Sequence, residues 1–223
     1  MNTKIFVVAF LLTATALANR LSAADLHVHL INEAGAAAAT LDAAESEARR
    51  IWETAGLHLI WTSSPERTTL NDGDTVVVVV RFALHRPPGG RPAESLAASR
   101  PALGWIVFGD DGKPGNLIEV SFEALTSVVM SGERLGRHVR ELPKTTQWSL
   151  FGCGLGRVVA HEIGHWLMGR GHTKAGLMRA SFGGRDVLDP LLARLPDEWT
   201  AAGSKLRLAL SSPCQLHASR PSA

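Results

Sequence analysis

The sequence predicts an α+β domain whose N-terminal part is α/β-like, with a mixed, twisted sheet of about four to five strands backed by helices. Three observations predict it. Apolar runs of strand length alternate with one helical stretch in the first third of the chain. The valines from Val76 to Val80 leave no polar face, so that strand belongs in the middle of a sheet. Further on, His161 and His165 stand four apart within an apolar run, which is the spacing of one face of a helix.

The first 23 residues read as a signal peptide. Lys4 is a basic start and Ile5 to Ala18 is an apolar run too short to span a bilayer comfortably. Ala16-Leu17-Ala18 and Leu21-Ser22-Ala23 both place small residues where a signal peptidase cuts, and no cysteine follows to carry a lipid. The expectation is an exported protein, periplasmic or secreted. Residues 24–210 would form one catalytic-sized domain and 211–223 a tail.

From residue 25 to 31, Leu26, Val28 and Leu30 alternate with His27 and His29, the pattern of a half-buried strand. Thr40 is placed to cap a helix running to about Ala55, with Leu41, Ala44, Ala48, Ile51 and Trp52 along one stripe. Gly56 ends it, Leu57 to Thr62 is a second strand, Asp72-Gly73 is a turn, and Thr75 to Phe82 is the valine strand. His85 to Pro101 holds Pro87-Pro88-Gly89-Gly90 and reads as a surface loop. Leu103 to Phe108 and Leu117 to Phe122 are strands joined through Asp110 to Asn116, a hairpin with one arm at the sheet edge. Glu123 to Met130 suits a short helix. The segment from Ser131 to Gly152 fits either a helix and loop behind the histidine helix or a flap over a cleft. Asp189 to Leu195 and Glu198 to Leu210 have helical character, broken near Pro196 and Gly203.

Composition narrows the partners. Setting aside Lys4 and Arg20 of the leader leaves 23 − 2 = 21 basic residues against 21 acidic ones. There is no Lys/Arg run for nucleic acid and, past the leader, no stretch apolar enough for stable membrane insertion. Oligomeric state is left open. Cys153 and Cys214 could pair in an oxidising compartment, a closure worth about 4 kcal/mol in the chain-entropy model; the alternative is two free thiols, or one thiol near a metal.

The chemistry concentrates in His161-Glu162-Ile163-Gly164-His165-Trp166-Leu167-Met168-Gly169-Arg170-Gly171-His172. On a helix, His161 and His165 can offer two imidazole nitrogens to one metal ion without bending the backbone. Glu162 lies about 100° round the helix from His161, beside the position that a bound water would take. Gly169 and Gly171 allow the chain to turn back and bring His172 in as a third ligand. Three protein ligands and an open position are the catalytic form of a zinc site, so one catalytic Zn²⁺ is the expected cofactor.

His161, Glu162, His165, Gly169, His172 and Met178 resemble, in kind and order, the pattern of metzincin zinc metallopeptidases. Gly169 and His172 each stand one residue later than in the strict pattern. The chain also has no tyrosine, so metzincin subgroups with a tyrosine near the zinc are poor models. The likeness covers about residues 156–178. It implies a peptidase acting on a peptide or protein, with Glu162 as general base, Met178 as a packed floor beneath the ligands, and a C-terminal helix after the methionine turn. It further implies Trp105, Ile106 and Val107, within Gly104 to Phe108, as the rim that pairs with extended substrate; a covered edge without a role is the alternative. Residues 179–189 would line the pocket beyond the cut bond, where Arg179 and Arg185 would favour acidic groups or simply be solvated.

Three other readings compete. One is a non-peptidase zinc hydrolase, such as a ribonuclease that spaces three histidines across a helix exit. Another is a catalytically silent module that keeps zinc only for stability. The third is a metallopeptidase of another clan, with Asp186 or Asp189 replacing His172 as ligand.

Overall fold

The structure is a computed structural model that describes residues 24–63, 75–83, 102–134, 136–189 and 195. The expected leader, the Asp72-Gly73 turn, the whole Pro/Gly-rich loop from His85 to Pro101, Cys214, the C-terminal tail and nearly all of the two C-terminal helices lie outside those residues.

Five strands form one sheet in the order β2-β1-β3-β5-β4: β1 is Ala24–Asn32, β2 Leu57–Ser63, β3 Thr75–Arg81, β4 Gly104–Phe108 and β5 Pro114–Ser121. The pairs β1–β2, β1–β3 and β3–β5 are parallel, whereas β4 runs antiparallel to β5 and closes that end of the sheet. This is the mixed sheet with an antiparallel edge strand that the sequence predicts. The valine strand is buried from Thr75 to Val80. Its even-numbered valines enter the main core under the helices, while Val77 and Val79 pack with Ile31 and Leu117 on the opposite face.

Helix α1, Ala38–Glu53, backs the sheet through Ala44, Ala48, Ile51 and Trp52. It begins two residues before Thr40, so Thr40 is not its cap. Thr40 is buried inside the first turn, and Asn32 shapes the approach instead by bonding both Ala36 N and Ala36 O at 2.9 Å. Helix α2, Phe122–Met130, starts on Ser121, whose Oγ accepts from Ala124 N at 3.1 Å.

The segment from Ser131 to Gly152 resolves into three parts. A two-residue hairpin (β6 Glu133–Arg134, β7 Arg137–His138) leads to a 3₁₀ turn at Val139–Glu141 and then to the first turns of the long helix α3, Lys144–Met168. Gln147 ties these together by donating to Arg140 O at 3.1 Å and Leu142 O at 2.8 Å. After Met178 the only described helix is α4, Gly184–Leu188, which ends before the expected helix at Asp189 would begin.

Helix α3 packs against α1, against β4 and β5 of the sheet, and against α2 and α4. Its closeness to α1 depends on Gly152, where a Cβ would stand 2.6 Å from Ala43 Cβ and 2.7 Å from Thr40 O. A glycine inside a helix costs about 1 kcal/mol against alanine; here it permits backbone contact between two helices. Among the described residues no helix is long and apolar enough to cross a membrane.

Candidate metal centre

The last two turns of α3 and the chain that folds back from it carry the site. Ile163, Val159 and Leu155 bury one side of the helix, which turns His161 and His165 toward the other. Both imidazoles are buried, at 7% exposure each, whereas His172 is exposed on the returning chain. The candidate ligand atoms of His161, His165 and His172 all lie within 4.8 Å of one another. The His172 ring stacks on that of His161 at 5.7 Å and meets that of His165 edge-on at 4.8 Å.

Each helical histidine is held by a backbone carbonyl. His161 Nδ1 donates to Leu177 O at 2.7 Å, and His165 Nδ1 donates to Gly169 O at 2.9 Å. A carbonyl oxygen can only accept, so both protons sit on Nδ1 and each neutral ring keeps a bare lone pair on Nε2. Those two Nε2 atoms face each other at 3.0 Å. Burial holds both rings neutral: desolvation pushes His161 down to about 3 and lowers His165 as well, against the opposing pull of the carbonyl bonds. Burial, followed by the neighbouring His165, also lowers His172. Two lone pairs aimed at one point repel unless a cation lies between them. The donor set, three neutral imidazoles with carbonyl-fixed tautomers on two of them, is one that could hold a metal ion such as zinc.

The additional residue relative to the strict metzincin spacing is accommodated at the helix exit. Met168 is the last helical residue, and Gly169 leaves the helix at φ 84°, a value that favours glycine. The chain is then pinned back on itself. Thr173 N donates to Met178 O at 2.8 Å, and Thr173 pairs with Arg179 in a short bridge. This closes the Ala175–Met178 turn, with Gly176 at φ 80°, and brings Leu177 O beneath His161. Met178 is 1% exposed and belongs to the hydrophobic core.

Glu162 points from α3 toward the sheet edge. A Cβ added to Gly104 at the start of β4 would lie 3.0 Å from its Oε1 and 3.0 Å from Val158 Cγ1. The carboxyl is 5% exposed, and burial alone pushes it up to about 8. A positive ion nearby would favour its charged form.

The other predicted residues divide. On β4, the Trp105 side chain is occupied with Glu119 of β5, donating from Nε1 at 2.8 Å, and Ile106 packs against the core. Val107 is 48% exposed. What β4 presents outward is therefore its backbone edge and Val107. Arg179 is ion-paired with Asp186 at 2.6 Å, and Asp186 also accepts from Gly183 N at 2.9 Å. Neither Asp186 nor Asp189 joins the histidine cluster among the described residues. Cys153 is half-buried beside Glu47, Arg50 and Arg157, and desolvation raises its thiol, so it is not an activated nucleophile.

Several site neighbours carry no sequence signal strong enough to single them out. Phe182 sets its ring edge-on to His161 at 5.2 Å, and Arg170 lies over the Phe108 ring at 4.8 Å. Arg157, on the far side of α3, pairs with Glu47 of α1 at 2.8 Å and donates to Val187 O of α4. Gly104 had a weak signal, since a glycine opening an apolar strand often marks a close approach.

No protein-family model matches the chain, and no curated protein matches it. Among solved structures the chain is similar to the crystal structure of archaemetzincin from Methanopyrus kandleri. The match has a TM-score of 0.48 and 12% sequence identity, and covers 85% of this chain and 98% of that one.

Proposed function

We propose that this chain is an exported zinc-dependent endopeptidase, with His161, His165 and His172 as the metal ligands and Glu162 as general base. The observation that carries the reading is the pair of bare Nε2 atoms facing each other at 3.0 Å beside a third imidazole, with the buried carboxyl of Glu162 one residue on from His161 in the same helix. Bound zinc would supply Lewis acidity and lower the pKa of a water. Glu162, ionised by that positive charge, takes a proton from the attacking water. It then delivers this proton to the leaving amine as the C–N bond breaks. The edge of β4 offers backbone donors and acceptors along which an extended peptide can lie. Backbone N–H groups of that rim would supplement the metal in holding the developing oxyanion, the chain having no tyrosine for the task.

The test is metal content of the purified protein together with chelator-sensitive cleavage of a peptide library. Glu162→Ala should keep the metal and lose activity by orders of magnitude, while His161→Ala should lose both. Protein that binds no zinc, or a fully active Glu162→Ala variant, would overturn the proposal. Metal-dependent stability without cleavage would favour the silent module.

A further inference from the structure

Arg170 occupies a place that the ligand geometry does not require. It follows Gly169, the residue whose carbonyl fixes His165, and it stands between two glycines. Its guanidinium lies 4.8 Å above the Phe108 ring, at the end of the rim strand. That contact spans from the exit of α3 to the sheet edge and holds a positive charge at the Phe108 end of β4. Among the described residues Arg170 makes no ion pair. The nearby turn carries Asp111, but that carboxylate is folded back on Lys113, accepting from its N at 3.0 Å. Arg179, on the chain after Met178, is already neutralised by Asp186.

We propose that Arg170 selects substrates with an acidic side chain on the amino-terminal side of the cut bond. The direction follows from the strand. Gly104, at the start of β4, lies against Glu162, and Phe108, at its end, lies under Arg170. Antiparallel pairing is the more stable of the two ladders, so a peptide on this edge would run from Phe108 toward Gly104. The four steps between them cover about 13 Å at the rise of a strand. An acidic residue about three positions ahead of the cut would then meet the guanidinium. This rests on the peptidase reading and adds a substrate class to it: peptides with Asp or Glu before the cut, not after it.

The experiment uses the full chain loaded with zinc and matched peptides carrying Glu, Gln or Lys at each position around the cleavage site. Cleavage of the Glu peptide should exceed that of its Gln partner by about fivefold in kcat/KM, only on the amino-terminal side, and the ratio should shrink at high salt. Arg170→Gln should bring the ratio near one, and Arg170→Glu should reverse it in favour of Lys. Binding of the same labelled peptides to Glu162→Ala gives a second readout that needs no turnover, and should follow the same order. Cleavage without charge preference, a preference on the carboxyl-terminal side, or one unmoved in both Arg170 variants overturns the role of Arg170 and leaves the peptidase reading in place. Absence of both cleavage and peptide binding overturns the two together.

Discussion

Gly104 has no side chain where Glu162 needs room: a Cβ there would stand 3.0 Å from the carboxyl oxygen Oε1. β4 and the acid on α3 are thus fitted to each other at a distance that leaves room for a hydrogen and would make a methyl's neighbours give way. Gly104→Ala should displace the carboxyl by a few tenths of an ångström or more, because Val158 blocks the other side at the same distance. We expect kcat to fall about 10- to 100-fold. Zinc content should be unchanged, since none of the three histidines is touched. Steady-state kinetics beside metal analysis would check this, and wild-type turnover in Gly104→Ala would show that the acid does not work from this position.

Metal-free protein should show two opposed pH dependences. Glu162 is raised to about 8 by burial, so between its ordinary 4.5 and about 8 the folded state holds a proton that the unfolded chain has released. Its contribution to stability is present at low pH and is lost as pH rises through that window. His161 is lowered to about 3, so below its ordinary 6.5 the unfolded chain binds the extra proton and the fold weakens as pH falls. Glu162→Gln should remove the alkaline loss alone. Between pH 5 and 8 the melting temperature of the metal-free variant should gain about several degrees on wild type. Saturating zinc should abolish the difference in slope by favouring the ionised carboxyl. Parallel pH slopes for the two metal-free proteins would refute the buried, neutral Glu162.

A second buried charge lies between α1 and α3. Glu47 pairs with Arg157, and each side chain is less than a tenth exposed. Desolvation acts to raise Glu47, but hydrogen bonds and charge from Arg50 and Arg157 outweigh it and hold the carboxyl below its ordinary value. Its stabilisation is therefore present above pH 4.5 and lost as pH falls through the lowered value. Glu47→Ala leaves Arg157 uncompensated and should cost about 3–5 kcal/mol in chemical denaturation at neutral pH. Because Arg157 also holds Val187 O, the loss should extend to α4 and the chain beyond the methionine turn.

The elements with a clear period were legible in the sequence: β1, α1, the valine strand and the hairpin of β4 and β5 fall within a few residues of expectation. So was the clustering of His161, His165 and His172, because helix geometry fixes the first two and the glycines permit the third. Three things were not legible. Side-chain type points to Thr40 as the helix start, yet Asn32 performs the shaping from outside the helix. The first turns of α3 were hidden because Gly152, Gly154 and Gly156 are poor helix formers, retained where α1, α2 and α4 come close. Ion pairs such as Glu47–Arg157 and Arg179–Asp186 join distant or loop residues, and no local pattern announces them. That last class altered the chemistry most, since Arg179 does not offer the free charge that its position suggests.

Asp186→Asn would restore that charge. The Arg179 guanidinium lies 6.0 Å from the Phe182 ring centre, and Phe182 in turn meets His161 at 5.2 Å. The pair is therefore one ring away from the histidine cluster, on the chain that follows Met178. In the native protein the 2.6 Å contact with Asp186 cancels the positive charge toward any peptide in the cleft. Asparagine keeps an oxygen for Gly183 N, so the turn into α4 should survive with a loss of about 1 kcal/mol. Alanine removes that acceptor as well and should lose more. If Arg179 borders the pocket beyond the cut bond, Asp186→Asn should gain an acid preference there of about threefold or more over Gln, a preference wild type lacks. The gain should fade with salt and vanish in the Asp186→Asn, Arg179→Gln double variant. Profiling matched Glu and Gln peptides at the first position after the cut would decide it: an unchanged profile would place Arg179 outside the substrate's reach and leave the ion pair a purely structural brace.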